Sequence, residues 1–298
     1  MNSLILQKQE EVIALAQFDI KDAVLKKCLL KEDETVITVP DGVTTIGKDA
    51  LCGLQSVIAV TLPESLKVIN DGAFYGCSSL TSVTLPGSVE RLGSCAFAQC
   101  SALNKIYLDN KLTEIGNSAF WGCTSLESID IPSGVTKIGY NLFGSCLSLI
   151  SVSLPDTVTE LDERAFKECT SLACITLPDS LIKIGNMAFL NCHNLKSVNI
   201  PDRLESIGEK AFFMCESLHE LEIPDGIASV GGDAFSDCVS VTVRSTISGK
   251  PLYKAVTATD GSSAYNFILR NIWDKGGFDF TAQRSEEHTS ELQSLCCI

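Results

Sequence analysis

One spacing governs this chain. Proline stands at 40, 63, 86, 132, 155, 178, 201 and 224, phenylalanine at 74, 97, 120, 143, 166, 189, 212 and 235, and cysteine at 77, 100, 123, 146, 169, 192, 215 and 238. Every step is 23 residues except one proline gap of 46, where Asp109 fills the vacant position. Nine units, from Thr38 to Arg244, follow one another without insertion or deletion. A strict period of this length makes each unit one coil, with coils stacked so that equivalent side chains line up in rows.

Unit three, residues 84 to 106, reads TLPGSVERLGSCAFAQCSALNKI. Its expected core positions are Leu85, Val89, Leu92, Ala96, Phe97, Cys100, Leu103 and Ile106, and unit seven repeats them as Leu177, Leu181, Ile184, Ala188, Phe189, Cys192, Leu195 and Val198. Alternation around SVTLP predicts a short strand with one face buried. The proline has no N–H for a ladder and ends it. The glycines at 93, 116, 139, 185 and 208 are expected to take positive φ where the chain reverses. The run of about six residues around Ala-Phe is long enough for one helical or 3-10 turn. Nine coils at a strand spacing of ~4.8 Å build a ladder about 43 Å long.

Leu80-x-x-Val83-x-Leu85 fits an LxxLxL strand, and the recurring IPxxVTxIGxxAFxxCxSLxSI strongly resembles the BspA-like, treponemal type of leucine-rich repeat. That resemblance covers residues 38 to 244. It implies a repeat solenoid: a right-handed leucine-rich-repeat superhelix of nine coils, each with a short parallel β-strand and a short helical or 3-10 turn. It also implies a non-catalytic protein-binding or adhesion-type scaffold that presents an extended face to a protein partner, such as a host or neighbouring-cell surface protein. An intracellular interaction module, or the repeat part of a larger protein with a catalytic domain, would share this pattern. The asparagine-ladder position of commoner leucine-rich repeats here holds residues such as Ser88, Lys111, Thr157 and Arg203. The turn there must satisfy its backbone in another way.

Eight cysteines in one row argue against chemistry. A catalytic nucleophile is needed once, and a metal site needs about four ligands converging on one point. Equivalent side chains of stacked coils point the same way, which disfavours a disulfide ladder. The row reads as small, soft core filling. Cys28, Cys52, Cys95 and Cys174 form no CxxC pair. His193 and His219 lie more than one coil apart, and there is no Walker loop, GxGxxG or HExxH. No catalytic residue, metal or cofactor is expected.

A net charge of −14 with no basic run disfavours nucleic acid and anionic membranes as partners. No stretch approaches the ~20 apolar residues of a membrane span. The start, MNSLILQKQEEVIALAQ, lacks the charged n-region of a signal peptide, which favours the cytoplasm, whereas the resemblance implies the cell surface or secretion. Four regions are expected. Residues 1–37 hold an N-terminal segment and a capping hairpin, FDIKDAVLKKCLL at 18 to 30, and residues 38–244 the repeats. Residues 245–283 form a flank whose Tyr265, Ile268, Leu269, Ile272 and Trp273 fall at the spacing of a capping helix. Residues 284–298 are an artefactual tail, because RSEEHTSELQS reads as the translation of a sequencing adapter.

The outward side of the strand row is mostly small: Ser82/Thr84, Ser128/Asp130, Ser151/Ser153, Ser197/Asn199. Lys105/Tyr107 breaks the rule, beside the Asp109 that replaces proline. Tyrosine is a common interface anchor and a break in regularity can mark a site, so Lys105, Tyr107, Asp109 and Asp130 are the expected binding residues. Tyr75, Trp121 and Phe213 share another position, as convex-face anchors or as packing against the next coil. Arg91, Glu114, Lys137, Glu160 and Lys183 alternate in sign along one row, as an exposed ladder that avoids like-charge neighbours.

Overall fold

The computed structural model describes residues 17–30, 34–218, 220–224, 227–238 and 242–245. The expected capping helix, His219 and the adapter-like tail lie outside them. The chain opens with an antiparallel hairpin, β1 (Gln17–Lys21) and β2 (Val24–Leu29). Its turn residues Asp22 and Ala23 both take positive φ (54° and 60°), the geometry that matches the twist of a two-residue hairpin. β3 (Val36–Thr38) and β4 (Thr45–Ile46) then start two separate parallel ladders.

Each coil therefore carries two strands where the sequence predicts one. The first ladder is the expected SVT row: β3, Ala59–Thr61, Ser82–Thr84 and Lys105–Tyr107, then Ser128–Asp130 and Ser151–Ser153, then a group from Cys174–Ile175 to Thr242–Ser245. The second consists of two-residue strands such as Arg91–Leu92 and Lys137–Ile138, and the hairpin joins it through β2 and β4. Two residues are too few for alternation to register in the sequence. At the corner between the ladders, the Ser65, Ser88, Thr157 and Ser180 hydroxyls donate to backbone carbonyls of the previous coil at 2.6–2.8 Å. Hydroxyls thus do the work of the missing asparagine ladder.

No helix occurs among the described residues, so the turn around Ala-Phe is not helical. In unit three, Ala96, Ala98 and Cys100 N–H donate three residues back, to Gly93, Cys95 and Phe97. Cys95, Phe97 and Gln99 N–H instead donate forward to Asn117, Ala119 and Trp121 of the next coil at 2.7–2.9 Å. This alternation puts Cys95 (φ 55°) and Gln99 (φ 60°) in the left-handed region, and the pair recurs as Asn141/Ser145 and Met187/Asn191. Left-handed residues four apart interrupt a right-handed helix, at ~1–3 kcal/mol each for a side-chain-bearing residue. The inter-coil bonds hold them there.

The glycines predicted at positive φ are not there; among the described residues the left-handed glycines are at 42, 53, 72, 76 and 122. A Cβ on Gly185 would instead lie 2.6 Å from the Asp162 carbonyl carbon. At 93, 116, 185 and 208 the residue is glycine because the preceding backbone lies against it. At Gly139 the near atom is instead Asn117 Oδ1, 2.8 Å from a Cβ there, and Asn70 and Asp162 stand in the same row.

The core is one continuous cluster with the expected composition. Phenylalanines from Phe74 to Phe235 stack face to face at 4.8–5.9 Å with planes within 14°. Offset stacking of this kind adds ~0.5–1.5 kcal/mol per pair beyond area burial. The repeat cysteines lie beside that stack, reduced and buried. Each thiol donates to a carbonyl of the preceding coil: Cys100 to Phe74 O, Cys123 to Phe97 O and Cys146 to Phe120 O, at 3.1–3.2 Å. Core filling is half of their role, and a tie between coils is the other half. Burial pushes the Cys123 and Cys192 thiols up to about 12.

Candidate functional site

Alternation along Lys105–Tyr107 buries Ile106 and turns its two neighbours outward. Tyr107 is 56% exposed, the most of any large apolar or aromatic side chain described. The Lys105 ammonium lies 4.7 Å from the Tyr107 ring centroid. Contact with the Tyr107 side chain raises the Lys105 pKa above its ordinary 10.5. Cation and ring brace each other, which lowers the side-chain entropy lost when another surface docks. On one side the row continues as Ser82 and Thr84, in register with Lys105 and Tyr107.

Asp130 is the residue equivalent to Tyr107 one coil further on, and it is exposed on the same side. Lys105, Tyr107 and Asp130 therefore share one outward face. Asp109 is placed differently. Its carboxylate accepts the Lys111 N–H at 3.1 Å and its carbonyl accepts Leu112 N–H at 3.0 Å. Elsewhere the proline carbonyl alone closes this corner, as in Leu66 N–H to Pro63 O. The Asp109 side chain thus closes its own turn, in the manner of an Asx turn, in place of the stiffness of proline.

The other singled-out residues are scattered. Tyr75 is 38% exposed, while Trp121 and Phe213 are half-buried on the turn side. His193 is half-buried, its Nδ1 lying 3.6 Å from Glu216 Oε1. Among the described residues no group of three or more His, Cys, Asp or Glu is placed to hold a metal ion.

The alternating charges lie on the second ladder. Arg91 pairs Glu114 at 3.1 Å, and Lys137 reaches Glu160 at 3.1 Å and Asp162 at 3.0 Å. Those two carboxylates, Asp162 foremost, raise the Lys137 pKa. These pairs are largely exposed, so each adds only ~0.2–1 kcal/mol. Beside them lies a groove of about 530 Å³ whose lining includes Gly185, Gly208, Gly231, Ser206 and Ser229. Sequence reasoning missed this groove, although the glycine row that opens it was visible.

Two hydrogen-bonded parallel ladders, a stacked phenylalanine row and a 23-residue step define a leucine-rich-repeat solenoid. The repeat pattern of the BspA type leucine rich repeat region matches residues 19–150 and 136–250 in six copies, and the chain belongs to that family. Solved structures similar to it include a leucine rich cell surface protein from Faecalibacterium prausnitzii, at 23% identity over 86% of this chain and 96% of that one, with a TM-score of 0.49. A leucine-rich repeat protein from Bacteroides ovatus is 22% identical over 84% and 90%, with a TM-score of 0.49. A leucine rich repeat protein of T. pallidum is 23% identical over 88% and 94%, with a TM-score of 0.46. No curated protein matches the chain.

Proposed function

We propose that this protein is a non-catalytic scaffold of protein-binding or adhesion type, and that its partner docks on the outward face of the first ladder around Lys105, Tyr107 and Asp130. The observation that carries this reading is the braced, 56%-exposed Tyr107 in a row of small hydroxyl side chains. Small neighbours let a partner approach the backbone ladder closely, and the tyrosine provides an apolar anchor with a polar tip. A partner with a small apolar pocket and a cation opposite Asp130 fits this face. Asp109 borders it, and its carboxylate holds the corner in shape.

The test is capture on immobilised wild-type protein in parallel with Tyr107→Ala and Asp130→Lys. Proteins retained by the wild type are identified and their binding is measured again in purified form. Loss of at least tenfold in affinity with an unchanged melting curve supports the face, a tenfold loss being about 1.4 kcal/mol. A purified partner that binds both variants like the wild type refutes it.

A further inference from the structure

Both ladders break at one step of the solenoid, where unit five (130–152) seats on unit four (107–129), each counted with the strand residues that lead into it. Lys105–Tyr107 does not pair with Ser128–Asp130, and Glu114–Ile115 does not pair with Lys137–Ile138. At every other step of the second ladder, pairing continues from β2 to Ser229–Val230. One coil later, Thr159 N–H donates to Thr136 O at 2.9 Å and Asp162 N–H to Ile138 O at 2.8 Å. Among the described residues, the equivalent Thr136 and Gly139 N–H groups make no such bond to unit four. The corner hydroxyl tie to unit four is missing as well, because Gly134 occupies the donor position. Lacking a side chain, Gly134 rests directly on unit four; a Cβ there would lie 2.7 Å from Leu112 O.

The Ala-Phe side of the same step is intact. Ser118, Phe120 and Gly122 N–H donate to Tyr140, Leu142 and Gly144 at 2.9–3.1 Å. Tyr140 N–H reaches Asn117 Oδ1 at 3.1 Å, and the Cys146 thiol reaches Phe120 O at 3.2 Å. Phe120 and Phe143 remain stacked, at 5.7 Å. The step is thus bonded along the Ala-Phe side and, where the first ladder begins, by Ser125 N–H to Ser101 O (3.2 Å) and Glu127 N–H to Asn104 O (3.4 Å). Both ladders themselves are unpaired there, so a rotation that parts them breaks no ladder hydrogen bond. The first ladder has one more break, between Ser151–Ser153 and Cys174–Ile175, but there the second ladder stays paired through Glu160 and Lys183.

We propose that the step between units four and five is a hinge, with its axis along the bonded Ala-Phe side, about which the coils before and after it swing. Tyr107 and Asp130 stand on opposite sides of the unpaired step, so hinge motion changes the spacing between them. The hinge stands independently of what docks there. A ligand that bridges both sides holds one angle, so hinge angle and binding are coupled through differential affinity for the two arrangements.

Two measurements on the full chain test this. In amide hydrogen exchange, Thr136 and Gly139 are expected to exchange at least ~10-fold faster than Thr159 and Asp162, their equivalents one unit further on. For the second, nitroxides are placed on the exposed Cys52 and Cys174, which lie on opposite sides of the step. The companion protein carries labels on Cys52 and Glu90→Cys, both before the step. Cys95, Cys296 and Cys297 are replaced by serine in both, and Cys174 in the companion. The Cys52–Cys174 distance distribution by electron spin resonance is expected to be at least ~2-fold broader than the companion's. Protection of Thr136 and Gly139 equal to that of Thr159 and Asp162, or two distributions of equal width, would overturn the hinge.

Discussion

Raising the pH should unfold this protein through its core. Burial raises the Cys123, Cys192 and Cys238 thiols to about 12, and Cys146, Cys169 and Cys215 well above the ordinary 9.0. In the folded state these six stay protonated, while in the unfolded chain they ionise from pH 9 upward. Between 9 and about 12 the unfolded state therefore binds fewer protons, and stability falls with rising pH; below 9 the contribution is fully present. Each neutral thiol costs ~1.4 kcal/mol per pH unit above its unfolded value, so six cost about 8 kcal/mol by pH 10. That is comparable to the ~5–15 kcal/mol total stability of a typical domain. Urea unfolding followed by circular dichroism, with reductant present, should show the midpoint collapsing between pH 8.5 and about pH 10. Cys169→Ala should make this decline about one sixth shallower. A midpoint that stays level from pH 8 to pH 10 would show that the thiol row is not held neutral by the fold.

Four further outcomes are expected. With Cys296 and Cys297 replaced by serine, a thiol reagent should label Cys52 and Cys174 quickly in the native protein and the buried row only after denaturant is added; rapid native labelling of the whole row would contradict its burial. Phe143→Ala removes a fully buried ring stacked on both neighbours and should cost ~3–5 kcal/mol in chemical denaturation. Ser180→Ala removes the 2.6 Å hydroxyl bond to Val158 O and should cost about 1 kcal/mol; no change would show that the corner ties are idle. Glu160→Lys sets a third cation between Lys137 and Lys183 and should lower stability by ~0.2–1 kcal/mol, a loss that 0.5 M salt largely removes; a loss indifferent to salt would rule out charge as the cause.

The face around Tyr107 was legible because alternation in KIY already assigns Lys105 and Tyr107 to the outside and Ile106 to the inside. Asp130 joined them through the period alone, 23 residues on. The role of Asp109 was not legible. An aspartate in place of proline reads as an addition to a binding face, and the structure adds that one of its carboxylate oxygens accepts the Lys111 N–H and closes the turn. The second ladder escaped notice for a similar reason: Arg91–Leu92 is too short to show a period.

The rows themselves follow from sequence. A period without insertion forces Phe74 to stack on Phe97 and Cys100 to lie one coil above Cys77, because any other register would put charged positions such as Arg91 and Glu114 into the core. Tertiary structure decided where each backbone group found its partner. Cys95 takes a left-handed backbone because its N–H bonds to Asn117 O, 22 residues away, and Gly93 is glycine because the preceding coil lies against it. The bonds missing at Thr136 and Gly139 are likewise set by how unit five seats on unit four. Such partners lie a full coil away, and local propensity and patterning do not register contacts at that separation.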